Sequence, residues 1–313
     1  MKGLWLEKGK LSLRDDLALP STSEDELLLR VRAAGICGTD LEMLAGYAGF
    51  TGVPGHEFVG DVVTGPASWL GKRVVASINI GCGTCEFCRR GLANHCLDRR
   101  VIGVRQRQGA FAEHLAVPIA NAYCLPDALS DEAAALVEPL AAALEITEQI
   151  SFGGRERVLV VGAGRLGQLV AQVMAHCAAN VDVLVRNPRR AATLESLDVV
   201  AIAAPDKQYD VVVECSGSAS GFQTALDAVK PRGTVVLKST IANRDLSSLN
   251  QVVVNEVTLL GSRCGPFGKA IEWLNDGRIS IYHLAFARFG IDAFEAAFAR
   301  ARQAATYKVL IEP

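Results

Sequence analysis

No stretch of this 313-residue chain is long and apolar enough to cross a bilayer: its most apolar run, VLVVGAG, falls far short of the roughly 20 residues that a membrane helix needs. Charge of one sign is lacking too. The formal net charge of -2 leaves no basic field for nucleic acid and no acidic tail, so neither polyanions nor membranes are expected as partners. The opening MKGLWLEKGKLSLRDD carries charges every few residues and no apolar stretch of signal-peptide length, and a reducing cytoplasm is the expected location. Internal repeats and low-complexity segments are also missing, which excludes solenoids and tails.

What is present is a globular composition, half hydrophobic and 21% charged, of a length that suits two domains. The nine cysteines are an odd number, unsuited to a disulfide scaffold. Four of them, Cys82, Cys85, Cys88 and Cys96, form the run CGTCEFCRRGLANHC. Zn²⁺ takes four thiolates tetrahedrally; two-residue spacers bring successive sulfurs to one ion, and a longer return through Gly91 closes the last corner. An iron-sulfur cluster of the ferredoxin type expects its last cysteine three residues on, followed by proline; here seven residues intervene and Leu97 follows. A structural zinc is therefore predicted. Cys124, Cys177, Cys215 and Cys264 are expected to be buried, inert thiols.

As far as about Tyr123 the chain reads as short β runs broken by glycine and proline (LLLRVRAAG, EFVGDVV, RVVASI, FAEHLAV, AYCLP), the pattern of a compact β barrel. The segment SDEAAALVEPLAAALEITEQI then predicts one long helix with a serine cap. Beyond it strands and helices alternate: VLVV (158–161), a glycine turn, RLGQLVAQVMAHCAA, VDVLV (181–185), DVVVECSG (210–217), a helix near FQTALDAVK, and TVVLKST (234–240). That alternation predicts an α/β architecture with a doubly wound parallel sheet. From about Ile279 the chain returns to helix and strand. The expected division is 1–140 with 279–313 as one domain and 141–278 as the other.

Gly162, Gly164 and Gly167 form G-x-G-x-x-G, with Arg165 and Leu166 in the variable positions, directly after a β run and at a helix start. In that context the first glycine makes a tight turn, the second lets the backbone approach a pyrophosphate, and the third lets helix and strand pack closely. An NAD enzyme places an acid at the end of the second strand, against the ribose hydroxyls. Here the strand ends VLVRNPRR, so the position falls to Val185 or Arg186, with Arg189 and Arg190 just beyond. This predicts NADP, with NAD as the alternative. Asp182 is expected too early in the strand to reach the ribose.

Upstream of the cysteine cluster lie GICGTD (35–40) and PGHEFVG (54–60), and the helix carries EPLA (138–141). Cys37, His56 and a carboxylate from Glu57 or Glu138 would hold Zn²⁺ with one position open, as a catalytic site requires. Taken singly, each of these residues also has a bland reading as a buried thiol, a core histidine or a surface acid.

Taken in order, GICGTD, PGHEFVG, the four-cysteine lobe, EPLA, VVGAGRLG, YDVVVECSG and the ending KVLIEP resemble the medium-chain, zinc-dependent alcohol dehydrogenase family over almost the entire chain. The resemblance implies a GroES-like β barrel carrying two zinc ions, a Rossmann domain carrying the nucleotide, and an active site in the cleft between them. It implies that Cys37 and His56 ligate the catalytic zinc, that Asp40 orients His56, and that Thr39 hands on the substrate proton. EPLA is similar to the polyol, sugar and threonine dehydrogenase branch, whose glutamate Glu138 matches; Glu57 either ligates or stands by. A histidine that ends the family's proton relay is replaced here by Glu42, a carboxylate still able to accept a proton. Shortened loops after strand EFVGDVV and in the second domain also depart from the family. The expected activity is reversible oxidation of a secondary alcohol, polyol or sugar-like, to a ketone. The alternatives are a nicotinamide-binding redox sensor without turnover, and a zinc-independent quinone or enone reductase. A homodimer or homotetramer is implied, with 252–262 as a contact edge.

Overall fold

The computed structural model describes the chain except at residues 179, 196, 207–208, 240–248, 283, 285 and 304–307, and at Arg189 it describes the backbone alone. Two compact units result, one of Met1–Glu138, Ile271–Asp276 and Ala285–Pro313, the other of Pro139–Ala270 and Gly277–Leu284.

The first unit is built on a seven-stranded sheet. Strand Glu26–Gly35 is its hub: it pairs antiparallel with Glu57–Thr64, with His114–Pro118 and with the C-terminal strand Lys308–Glu312. Leu27, Leu29, Val31, Val59, Val62, Leu115, Val117, Val309 and Ile311 fill its core, and Phe111 meets Phe298 edge to face at 5.9 Å. At one end of the hub strand, Gly35 lies opposite Glu57 on one side and Leu310 on the other. That register sets the chemistry described below. Cys124 ends the outermost strand of this sheet and is exposed, so the expected burial fails there; Cys177, Cys215 and Cys264 are half-buried, and burial pushes the Cys215 thiol up to about 12.

The second unit carries a six-stranded, wholly parallel sheet in the order Val200–Ile202, Asn180–Leu184, Arg157–Val161, Tyr209–Glu214, Val229–Leu237, Thr258–Gly261. This is the doubly wound order, and it reverses beside Arg157–Val161, where such sheets bind nucleotides. Val158–Val161 and Val211–Val213 are buried, as continuous apolar runs in a parallel sheet must be.

Two elements differ from the sequence expectation for local reasons. The predicted long helix is two, Asp131–Ala134 and Val137–Gln149. Ser130 caps the first by accepting from the Ala133 N–H. Pro139 has no N–H to give to a preceding turn, so it is tolerated only near the start of a new helix. The segment 252–262 also divides, into the end of helix Leu249–Val254 and the edge strand Thr258–Gly261.

Candidate functional site

The four cysteines of the lobe converge. Their sulfurs all lie within 4.8 Å of one another, and all nine cysteines of the chain are free thiols. The peptide N–H groups of Cys82 and Cys85 point at the sulfurs of Cys96 and Cys82, at 3.2 and 3.3 Å, an arrangement that favours thiolates. The Thr84 hydroxyl, followed by the peptide N–H groups of Thr84 and Cys85, pulls Cys82 down to about 6. A Cβ on Gly81 would sit 2.8 Å from the Cys88 sulfur, so the turn leaves room for that ligand and no more. Four such donors closing on one point fit a tetrahedral Zn²⁺.

A second group, Cys37, His56 and Glu57, has its ligand atoms within 4.8 Å of one another. Cys37 precedes helix Gly38–Leu44, and the Asp40 carboxylate in its first turn accepts from the Cys37 N–H at 2.8 Å. The other Asp40 oxygen faces Nδ1 of His56 at 3.4 Å, a long contact, and neither atom has a nearer partner. Both residues are buried. Burial works against a charged His56, but Asp40 and Cys37 outweigh it and hold the ring well above its ordinary range. With Nδ1 turned to Asp40, Nε2 is left for a metal, the usual division of an imidazole between ligand and orienting carboxylate. The orphaned pair and the donor set fit a zinc ion with an open position.

Thr39 lies beside this group, its hydroxyl 3.8 Å from the Cys37 sulfur, and Glu42, one helical turn on, is exposed. Glu138 stands half-buried in the first turn of helix Val137–Gln149 and is not among the residues gathered within 4.8 Å. Glu57 is, and a partner absent from the sequence reading holds it. Lys308, 1% exposed, forms an ion pair with Glu57, itself 1% exposed. The pair forms over Gly35: a Cβ there would lie 2.6 Å from Lys308 Cε and 2.8 Å from Glu57 Oε2. Lys308 was legible only as the first residue of KVLIEP.

In the second unit the glycine turn joins strand Arg157–Val161 to helix Arg165–Ala175. Gly162 has φ +103°, and a Cβ on it would meet Ser216 at 3.0 Å; a Cβ on Gly167 would lie 1.9 Å from the Gly162 carbonyl. Gly164 caps the helix, and a Cβ on it would lie 3.6 Å from Nη1 of Arg190. Bare backbone at a helix start of this kind fits a pyrophosphate. Burial and the neighbouring charge of Arg165 lower the Arg190 guanidinium below its usual range. Arg186 follows strand Asn180–Leu184 and donates to Ser220 Oγ from Nη1 and Nη2, each at 3.3 Å. The Arg189 side chain lies outside the described residues. Asp182 is the middle residue of its strand and is occupied by the Tyr209 hydroxyl at 2.7 Å and Arg157 at 3.4 Å, so it is a structural acid.

Residues 23–127 match the alcohol dehydrogenase GroES-like domain, and residues 166–276 match the zinc-binding dehydrogenase family. L-threonine 3-dehydrogenase of Chelativorans sp. (strain BNC1) is 30% identical over 344 aligned positions, which cover 99% of this chain and 96% of that protein. The chain belongs to the zinc-dependent medium-chain alcohol dehydrogenase family. Among solved structures of that fold, a zinc-binding dehydrogenase from Sinorhizobium meliloti 1021 bound to NADP superposes with a TM-score of 0.89 at 29% identity, covering 100% of this chain and 99% of that one. A protein described as a short chain alcohol dehydrogenase, from E. coli CFT073 and complexed with NADH, gives the same TM-score at 26% identity with the same coverage. These two similar dehydrogenases carry different dinucleotides, so the choice between them rests on this chain's own residues. No helix among the described residues is long and apolar enough to cross a membrane.

Proposed function

We propose that this protein interconverts a secondary alcohol carrying further polar groups, a polyol, sugar-like or hydroxy-amino acid substrate, and the corresponding ketone, with NADP(H) in preference to NAD(H). The observation that carries the reading is the buried group of Cys37 and His56 with Asp40 behind the histidine, in a chain whose curated relatives include L-threonine 3-dehydrogenases. A zinc ion held by Cys37, His56 and a glutamate supplies a Lewis acid for the substrate oxygen, and the dinucleotide supplies the hydride acceptor. Asp40 fixes the ring of His56 and so the direction of its ligand nitrogen. Thr39 takes the substrate proton, and Glu42, at the i+3 position of the same short helix and open to solvent, passes it on. Cys82, Cys85, Cys88 and Cys96 hold a second, structural zinc. The catalytic domain comprises 1–140 and 279–313 and the nucleotide domain 141–278. The protein acts in the cytoplasm as a homodimer or homotetramer, the edge strand Thr258–Gly261 providing a contact.

Purified protein should turn over polyols, sugars or L-threonine with the dinucleotide. Cys37→Ser should remove that activity while leaving dinucleotide binding intact, and Asp40→Asn should lower it about 10- to 100-fold. A wild-type protein that binds dinucleotide, contains a single zinc and oxidises no alcohol would overturn the proposal in favour of a redox sensor.

NADPH should bind about tenfold or more tightly than NADH, because a 2′-phosphate near Arg186 and Arg190 gains charge-assisted hydrogen bonds of about 1.5–3 kcal/mol each, whereas no acid grips a free ribose. Fluorescence titration of both cofactors should show the preference largely gone in Arg186→Ala combined with Arg190→Ala. Equal affinities in the wild type would mean that these arginines are only a solvated helix start.

A further inference from the structure

Strand Tyr209–Glu214 ends at a carboxylate that is fully buried, and the chain beyond it, Cys215 to Ser220, carries a serine at every second position. Those serines are joined. Glu214 Oε1 accepts the Ser216 hydroxyl at 2.6 Å together with the N–H groups of Ser216 and Gly217, at 2.7 and 3.2 Å. Ser216 Oγ lies 2.9 Å from Ser218 Oγ, and Ser218 Oγ lies 3.3 Å from Ser220 Oγ. Ser220 Oγ receives both terminal nitrogens of Arg186.

A hydroxyl has one proton to give and two lone pairs with which to accept, and that rule fixes every direction in this row. Ser216 spends its proton on Glu214, so it accepts from the Ser218 hydroxyl, and its second lone pair takes the Ser218 N–H at 3.2 Å. Ser218 therefore accepts from Ser220, and its second lone pair takes the Gly221 N–H at 3.0 Å, the cap of helix Ala219–Ala228. Ser220 is left with two lone pairs, and Arg186, which can only donate, fills both. The row runs in one sense from a cation to a buried carboxylate, the arrangement in which each bond polarises the next. It also borders the glycine turn, since Ser216 is the residue that a Cβ on Gly162 would strike.

We infer that Ser220 is a positioning residue for cofactor choice: the row of serines anchored on Glu214 fixes its hydroxyl, and that hydroxyl aims the Arg186 guanidinium at the 2′-phosphate of the dinucleotide. The inference rests on the reading of Arg186 as a 2′-phosphate ligand and goes beyond it. Arg186 is exposed at a strand end, where an untethered guanidinium would sample many rotamers and lose more entropy on binding. Tethered by two donors, it is set in place before the anion arrives.

Dissociation constants of NADPH and NADH, measured by fluorescence titration on the full chain, test it. Ser220→Ala should lower the selectivity ratio, Kd for NADH over Kd for NADPH, by roughly two- to tenfold, the span that one ordinary hydrogen bond gives. NADH affinity should not move. Ser220→Thr, which keeps the hydroxyl, should retain the ratio, and Ser220→Ala should have no further effect in an Arg186→Ala background. Loss of affinity for both dinucleotides alike would show that Ser220 serves only the local fold, and the inference would be wrong. An unchanged ratio in Ser220→Ala, with Arg186→Ala still lowering it, would also overturn the inference but leave the cofactor reading standing. If Arg186→Ala leaves the ratio unchanged, the inference falls together with the reading of Arg186 as a 2′-phosphate ligand.

Discussion

Lys308→Met is expected to destabilise the metal-free protein by about 3–5 kcal/mol, because it strands the Glu57 carboxylate in a buried site without its counter-ion. The loss should be measurable as a lowered denaturant midpoint. Glu57→Gln combined with Lys308→Met should recover most of it, since both charges are then gone and only a neutral contact is lost. Added Zn²⁺ should also restore stability to the single variant more than to the wild type, because Glu57 lies within ligand reach of Cys37 and His56. Single glutamate variants divide the two carboxylates. With Glu57 neutralised by Lys308, Glu138 is the proposed third ligand, so Glu138→Gln should lose catalytic zinc and Glu57→Gln should keep it. Metal analysis that finds the reverse would assign the ligand to Glu57, the carboxylate that the fold already gathers with Cys37 and His56.

Cys88→Ser should reduce zinc from two ions per chain to one and unfold its lobe. Residues 81 to 99 contain only the short helices Glu86–Arg89 and Ala93–His95, with little apolar burial beyond Cys96. Such a segment draws its order from metal binding, which in small zinc domains amounts to about 10–16 kcal/mol of folding free energy. The expected readouts are one zinc by elemental analysis, protease cleavage within the lobe, and a lowered melting temperature. Cys37→Ser should likewise lose one zinc but keep the lobe resistant to cleavage, because the four cysteines of the lobe form a separate group that the substitution leaves intact. Iron in place of zinc, or two zinc ions retained in both variants, would sink the assignment.

The two sites differ in how far they could be read from the sequence. The convergence of the four cysteines was legible, since all four fall within fifteen residues and their spacing alone limits what they could hold. The glycine turn was legible for the same reason: Gly162, Gly164 and Gly167 act on their own backbone and on the strand and helix that flank them. The break ahead of Pro139 was also written in the chain, as a missing N–H, although the helical run around it masked the signal.

What the sequence by itself determined is the chemistry available: the soft ligands, the dinucleotide turn, the arginines after the second strand, and the order of motifs that marks the family. Only the tertiary structure decided which of these groups meet. Lys308 reaches Glu57 across 251 positions of sequence because its strand and strand Glu57–Thr64 flank the same hub, at a glycine that leaves space for the pair. The contact of Asp40 with His56 was already implied by the family resemblance, whereas Ser220 becomes the acceptor of Arg186 across 34 positions without any such signal. Side-chain identity fixes what a group can donate, accept or ligate, and nearby spacing fixes who can share an ion. The register of strands far apart in the chain has no local signature, so the counter-ions and tethers that tune these sites emerge only when the sheets are assembled.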